Sequence, residues 1–163
     1  MKTLLIVWHS RTGAARQMAQ AAAHGAEVER EVAVRLLPAE ETDAADVLAA
    51  DGYLFACPEN LASMSGEMKA FFDRTYYPCL ERLNGRPYAA MIAAGSDGTG
   101  AARQLARIAT GWRLKAVAEP LIVGTRAQTP EAILAPKQLT EAQLTPAREL
   151  GAALASGLAL GVF

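Results

Sequence analysis

Short runs of consecutive apolar residues recur along the chain, each bounded by small, polar or turn-forming residues. They are Leu4–Trp8, Val32–Leu37, Tyr53–Cys57, Tyr88–Ala94 and Leu121–Val123, the last region beginning as early as Leu114. Continuous runs of this length fit strands covered on both faces, as in a parallel sheet. Between them the period changes to that of a helix. Ala14–His24 follows the first run, with Gly25 placed to close it as a C-terminal cap. Asp43–Ala50 is a shorter, Ala-rich helix. The clearest is Gly66–Tyr76, which sets Met68, Phe71, Phe72 and Thr75 on one face and turns Glu67, Lys69, Asp73 and Arg74 away. Ser65 stands as its N-cap, Glu67 suits the positive end of its dipole, and Pro78 is expected to stop it. Gly100–Thr110 follows, with Leu105, Ile108 and Ala109 inward. The last helix is expected to start at Thr145-Pro146, an N-cap followed by Pro at the first helical position, and to run to about Leu158.

Strand and helix thus alternate, which predicts an α/β fold with a doubly wound parallel sheet. Pro120 marks the fifth strand as an edge. Residues 124–140, with Pro130 and Pro136, are less regular and are expected on the same side as the other strand ends.

Composition narrows the function classes. A chain of 163 residues, 52% hydrophobic and 20% charged, predicts a single globular domain over 1–163. A net charge of -1 argues against nucleic acid as a partner. The start of the chain does not read as a signal peptide, and the apolar stretch from Gly151 to Phe163 is too short to span a bilayer. Cys57 and Cys79 match neither a CxxC motif nor a zinc spacing, which fits a reducing, cytoplasmic setting. No metal site is expected.

Candidate chemistry lies in three small, polar, Gly-rich loops that leave strands. Ser10–Ala15 runs from the first strand into a helix, so unpaired amides and the helix dipole offer an anion site. Ser10 and Thr12 add hydroxyls, and Gly13 permits close backbone approach. A plain strand-to-helix turn is the alternative. "PENLASMSG" (58–66) is long for its connection, and Glu59, Asn60, Ser63 and Ser65 suit a planar ligand framed by Leu61 and Met64. A capped surface loop is the alternative there. "AGSDGTG" (94–100) only partly matches a dinucleotide fingerprint, and a flexible turn would explain it as well. In the order 2-1-3-4-5 all three loops converge on the crevice at the switch point of the sheet.

"SRTGAA" resembles the phosphate loop of the flavodoxin family, usually Ser/Thr-x-Thr-Gly-Asn-Thr. "PENLASMSGEMKAFFDRT" is similar to the flavin loop and following helix of NAD(P)H-dependent FMN reductases and WrbA-type quinone reductases, and "AAGSDGTG" sits where the third flavin loop belongs. The resemblance covers roughly residues 2–125 and implies a flavodoxin-like three-layer sandwich, a five-stranded parallel sheet in the order 2-1-3-4-5, with non-covalent FMN. It implies that Ser10, Arg11, Thr12, Gly13, Ala14 and Ala15 surround the phosphate. Pro58, Glu59, Asn60, Leu61, Ala62, Ser63 and Met64 would line the isoalloxazine and ribityl, and Gly95, Ser96, Asp97 and Gly98 would close the other side. It further implies NADPH or NADH as electron donor, a quinone or similar small-molecule acceptor reduced by ping-pong hydride transfer, a homo-oligomer, and flavin-centred chemistry with no separate catalytic side chain. Two departures stand out. Ala14 and Ala15 replace the usual Asn and Thr, and a lost hydroxyl donor costs about 1 kcal/mol. Neither flavin loop carries the Trp and Tyr that sandwich the ring in flavodoxins. The alternatives are a flavodoxin-like electron-transfer module, and a degenerate member that holds FMN weakly.

Overall fold

The computed structural model describes residues 1–163. The chain forms seven strands: β1 (Lys2–Trp8), β2 (Val32–Pro38), β3 (Gly52–Asn60), β4 (Ser63–Met64), β5 (Pro87–Ala94), β6 (Lys115–Ala116) and β7 (Leu121–Gly124). Six helices accompany them: α1 (Ala14–Ala26), α2 (Ala44–Ala49), α3 (Gly66–Cys79), α4 (Thr99–Gly111), α5 (Pro130–Leu134) and α6 (Glu141–Leu160).

The parallel sheet runs β2-β1-β3-β5, and its last place is shared by β6 and β7. Both pair with β5, Lys115 opposite Pro87 at one end and Leu121 to Gly124 opposite Met91 to Ala94 at the other. The expected fifth strand is therefore one edge strand broken in two. Pro120, which has no N–H to give the ladder, precedes its second half. The other difference is β4, an antiparallel addition to β3. The third strand runs past Cys57 to Asn60 and turns back on itself, so residues 59–64 of the loop expected over 58–66 form a hairpin.

Each face of the sheet carries its own core. On one, Leu5, Val7, Phe55 and Cys57 pack under Phe71 and Phe72 of α3, Leu105 of α4 and Trp112. On the other, Leu4, Ile6, Leu54 and Met91 pack under Met18 of α1 and Leu154 and Leu158 of α6. The period-2 alternation of strand side chains makes this division, and two helical layers cover what a parallel sheet must bury.

Several helix ends differ from the sequence expectation. Gly25 is not a cap; α1 runs on to Ala26, and a Cβ at Gly25 would collide with the Arg148 carbonyl of α6. Gly151 of α6 stands against the Ala22 carbonyl of α1 in the same way. The pair of glycines lets two helix backbones touch. Helix α3 passes through Pro78 to Cys79. The carbonyl that Pro78 leaves unbonded is that of Arg74, an exposed residue open to water. Helix α6 begins at Glu141, ahead of the expected Thr145-Pro146. Thr140 and Gln143 form a capping box, with Thr140 Oγ1 accepting from the Gln143 amide (3.2 Å) and Gln143 Oε1 from the Thr140 amide (2.9 Å). Pro146 is tolerated inside the helix because Ala142, whose carbonyl it leaves free, is exposed. No helix is long and apolar enough to cross a membrane.

Candidate functional site

The carboxyl ends of β1, β3, β5 and β7 open on a cavity of about 530 Å³, a size suited to a cofactor or small substrate. Its first wall is the turn from β1 into α1. Gly13, the N-cap of α1, has φ 106°, a left-handed conformation that glycine adopts freely. Its amide donates to Ser10 Oγ (3.1 Å), which draws the loop into a tight arc. No side-chain hydrogen bond caps α1, so the first amides of the helix stay open on the cavity side. Ser10, Arg11, Thr12, Ala14 and Ala15 line this wall, while the Ala14 and Ala15 side chains sit in the core.

The second wall is the β3–β4 hairpin, in which Glu59 pairs with Met64 and Asn60 with Ser63. Its two turn residues, Leu61 (φ 52°) and Ala62 (φ 64°), are both left-handed, a conformation that two-residue hairpins usually fill with Asn-Gly. Leu61 is fully exposed. The hairpin is braced from α4, where Gln104 Oε1 accepts from the Met64 amide (2.8 Å). Pro58, Glu59, Asn60, Leu61 and Ala62 line the cavity. Asn60 Nδ2 is buried there without a hydrogen-bond partner, a condition that costs about 1–3 kcal/mol unless something pairs with it.

Glu59 has a more specific task than lining. Its Oε1 accepts from the Gly98 amide (2.8 Å) and its Oε2 from the Ala101 amide (3.0 Å). It therefore caps α4 from outside and fills that helix N-terminus with its own carboxylate. Two helix N-termini approach the cavity region, and only that of α1 is left for a ligand anion.

The third wall holds Gly95 and Ser96, with Ala93 and Ala94 of β5. The fourth is the irregular segment 125–137, which contributes Thr125, Ala127, Ile133, Leu134 and Lys137. Thr125 donates its amide to the Ala94 carbonyl (2.7 Å) and Gln128 Nε2 donates to the Gly95 carbonyl (3.1 Å), so this segment folds over the third loop.

The structure thus brings the three expected loops together, with five exceptions among the expected residues. Gly13, Ser63, Met64, Asp97 and Gly98 do not line the cavity. Gly13 shapes the arc from behind, and the Ser63 and Met64 backbone closes the hairpin. Asp97 turns to its own loop, accepting from Thr99 Oγ1 (2.8 Å), and the Gly98 amide is taken by Glu59. The fourth wall was missed residue by residue, because nothing in the spacing of Ile133, Leu134 and Lys137 marks a site. Its only signal was position after a strand at the carboxyl edge.

Two titratable groups near the loops stay outside the cavity. His9 is buried on the other face, where Nδ1 meets Ser65 Oγ (2.8 Å) and Nε2 lies 3.5 Å from Glu67 and 3.6 Å from Glu40. Ser65 thus holds the N-cap position of α3 while its side chain ties that helix to the end of β1. Burial pushes the Cys57 thiol up to about 12, so it stays protonated and serves as a small apolar side chain.

Comparison with known proteins agrees with this geometry. Over 100 residues the chain is 33% identical to a flavodoxin of Aquifex aeolicus, covering 61% of this chain and 54% of that protein. It is 32% identical over 95 residues to an NAD(P)H dehydrogenase (quinone) of Acidithiobacillus ferrooxidans, covering 46% of this chain and 48% of the relative. The chain spans about half the length of these two curated relatives. Among solved structures, a flavodoxin from the domain Archaea superposes with a TM-score of 0.74 at 18% identity, covering 96% of this chain and 98% of that one. A WrbA-like flavodoxin from Agrobacterium tumefaciens gives 0.69 at 19%, covering 99% of each. These show the flavodoxin-like fold. The family model for NADPH-dependent FMN reductase matches residues 39–128, more than half of the chain, from the end of β2 through the hairpin, α3, β5, α4 and β7, and the chain belongs to that family.

Proposed function

We propose that the cavity binds FMN non-covalently and that the protein is an NAD(P)H-dependent oxidoreductase reducing a quinone or a similar small acceptor. The observation that carries this reading is the meeting of three strand-end loops on one cavity whose α1 end has no side-chain cap. The residues present fit the group. The open amides of Ala14 and Ala15, with the Ser10 and Thr12 hydroxyls, suit a phosphate monoester. Pro58, Leu61 and Ala62 on one side and Ala94 and Gly95 on the other suit a flat aromatic system.

FMN, when bound, supplies hydride acceptance from NAD(P)H and two-electron delivery to the acceptor, in ping-pong order. The chain's own residues do the rest. The α1 arc fixes the phosphate end and so the depth of entry. Glu59 keeps α4 capped from the β3–β4 hairpin, which sets the height of the third loop against that hairpin. Leu61, Ile133 and Leu134 are exposed aliphatic residues at the mouth, and they leave a ring face open to a nicotinamide or quinone where aromatic lids would close it. The reading extends to a homo-oligomer. The two free, buried thiols, Cys57 and Cys79, suit the cytoplasmic setting that goes with it.

Titrating FMN into the purified apoprotein tests the cofactor part. Saturable quenching of flavin fluorescence, lost on competition with excess free phosphate monoester, is the expected result. Unquenched fluorescence across the titration would remove the reading.

A further inference from the structure

Lys137 reaches the cavity from the fourth wall, outside the three loops. Its Nζ donates to the carbonyls of Ala135 (2.6 Å), Ala132 (2.8 Å) and Ile133 (3.0 Å) and lies 3.4 Å from Thr12 Oγ1. The carbonyls belong to the C-terminal end of α5, where the backbone favours a cation. The backbone of Lys137 is fixed as well. Its amide donates to the Thr12 carbonyl (2.7 Å), and its carbonyl accepts from Gln17 Nε2 (2.8 Å). Gln17 Oε1 in turn accepts from the Leu139 amide (3.0 Å).

The ammonium is therefore held beside the phosphate arc from both ends of its side chain, with few rotamers left to lose on binding an anion. It has no carboxylate partner; the ion pairs of the chain lie elsewhere. An unneutralised cation lining a cavity next to an uncapped helix N-terminus favours a dianion over a neutral group in the same place.

We infer that Lys137 reads the charge of the ligand's phosphate and makes the site prefer a flavin phosphomonoester to unphosphorylated riboflavin. The inference rests on the flavin reading given above. The three N–H groups of Lys137 Nζ are already taken by the α5 carbonyls, so it acts on the phosphate through its charge, and losing that charge weakens binding by roughly 10-fold.

The test titrates FMN and riboflavin separately into wild type, K137M and K137R, at low and at raised salt, with thermal melts of each variant. K137M raises the FMN Kd by roughly 10-fold, leaves that of riboflavin unchanged, and flattens the salt dependence of FMN binding. K137R keeps most of the preference for FMN. Equal weakening of both flavins by K137M would overturn the inference, since Lys137 would then only fasten residues 125–139 to the arc. So would a wild type that binds both flavins equally, which would leave the flavin site itself standing. A wild type that binds neither flavin overturns the flavin reading and this inference with it.

Discussion

Single residues at the site carry conformational cost and charge in identifiable places. Leu61 and Ala62 occupy left-handed backbone that L residues with a Cβ adopt at a cost of about 1–2 kcal/mol each. Replacing them with Asn and Gly should stabilise the protein by about 1 kcal/mol in urea unfolding, after allowing for the greater freedom of glycine in the unfolded chain. An unchanged midpoint would show that the turn is not strained. Glu59 works in the opposite direction. E59A leaves the Gly98 and Ala101 amides without their acceptors and should lower stability by about 1–2 kcal/mol in the same assay. Alkaline pH should also act on single groups. Burial pushes Cys57 from 9.0 to about 12, and Tyr53 from 10.0 to about 12 against the opposing pull of Arg86. Both keep their protons in the folded state while the unfolded chain loses them. Their contribution is complete below pH 9 and is lost as pH rises towards 12. Urea midpoints should be flat up to about pH 9 and fall above it, and C57A should reduce that fall.

Among the elements, the contact between α1 and α6 matters most for the phosphate arc, because α1 begins in it. Gly25 and Gly151 each face a carbonyl of the opposite helix at a separation no Cβ can share. G151A must push α6 off α1, and should cost about 2 kcal/mol or more in urea unfolding. If the two helices slide past each other instead, stability will hold and the contact is softer than the packing implies. Elements were legible in the sequence where one physical signal dominated. The apolar runs located every core strand, and the Met68, Phe71, Phe72 and Thr75 stripe located α3. They were misread where two signals competed. Thr145-Pro146 has the form of a helix start, yet the capping box at Thr140 and Gln143 begins α6 more than a turn earlier. Gly25 has the form of a helix end, yet its absent side chain serves a tertiary contact that no local pattern encodes.

On the scale of the whole molecule, the convergence of three loops was legible because strand order decides it, and that order came with the loop motifs' resemblance to a known family, since alternation alone fits more than one order. The fourth wall was not. Lys137 is fixed by a hydrogen bond it accepts from Gln17 Nε2 and one its amide donates to the Thr12 carbonyl, partners more than a hundred positions earlier in the chain, and α5, with Ile133 and Leu134, is too short to announce itself by periodicity. The match to the reductase family spans residues 39–128, so Ile133, Leu134 and Lys137 lie after it, as the α1 arc lies before it. On the proposed reading, the open aliphatic mouth and the uncapped α1 arc make a flavin site that a reductant can reach. Anaerobic stopped-flow mixing of the FMN-loaded protein with NADPH, and separately with NADH, tests that most directly. Bleaching of the visible flavin band by at least one of them is the predicted result; a band that neither donor bleaches would contradict the reductase account.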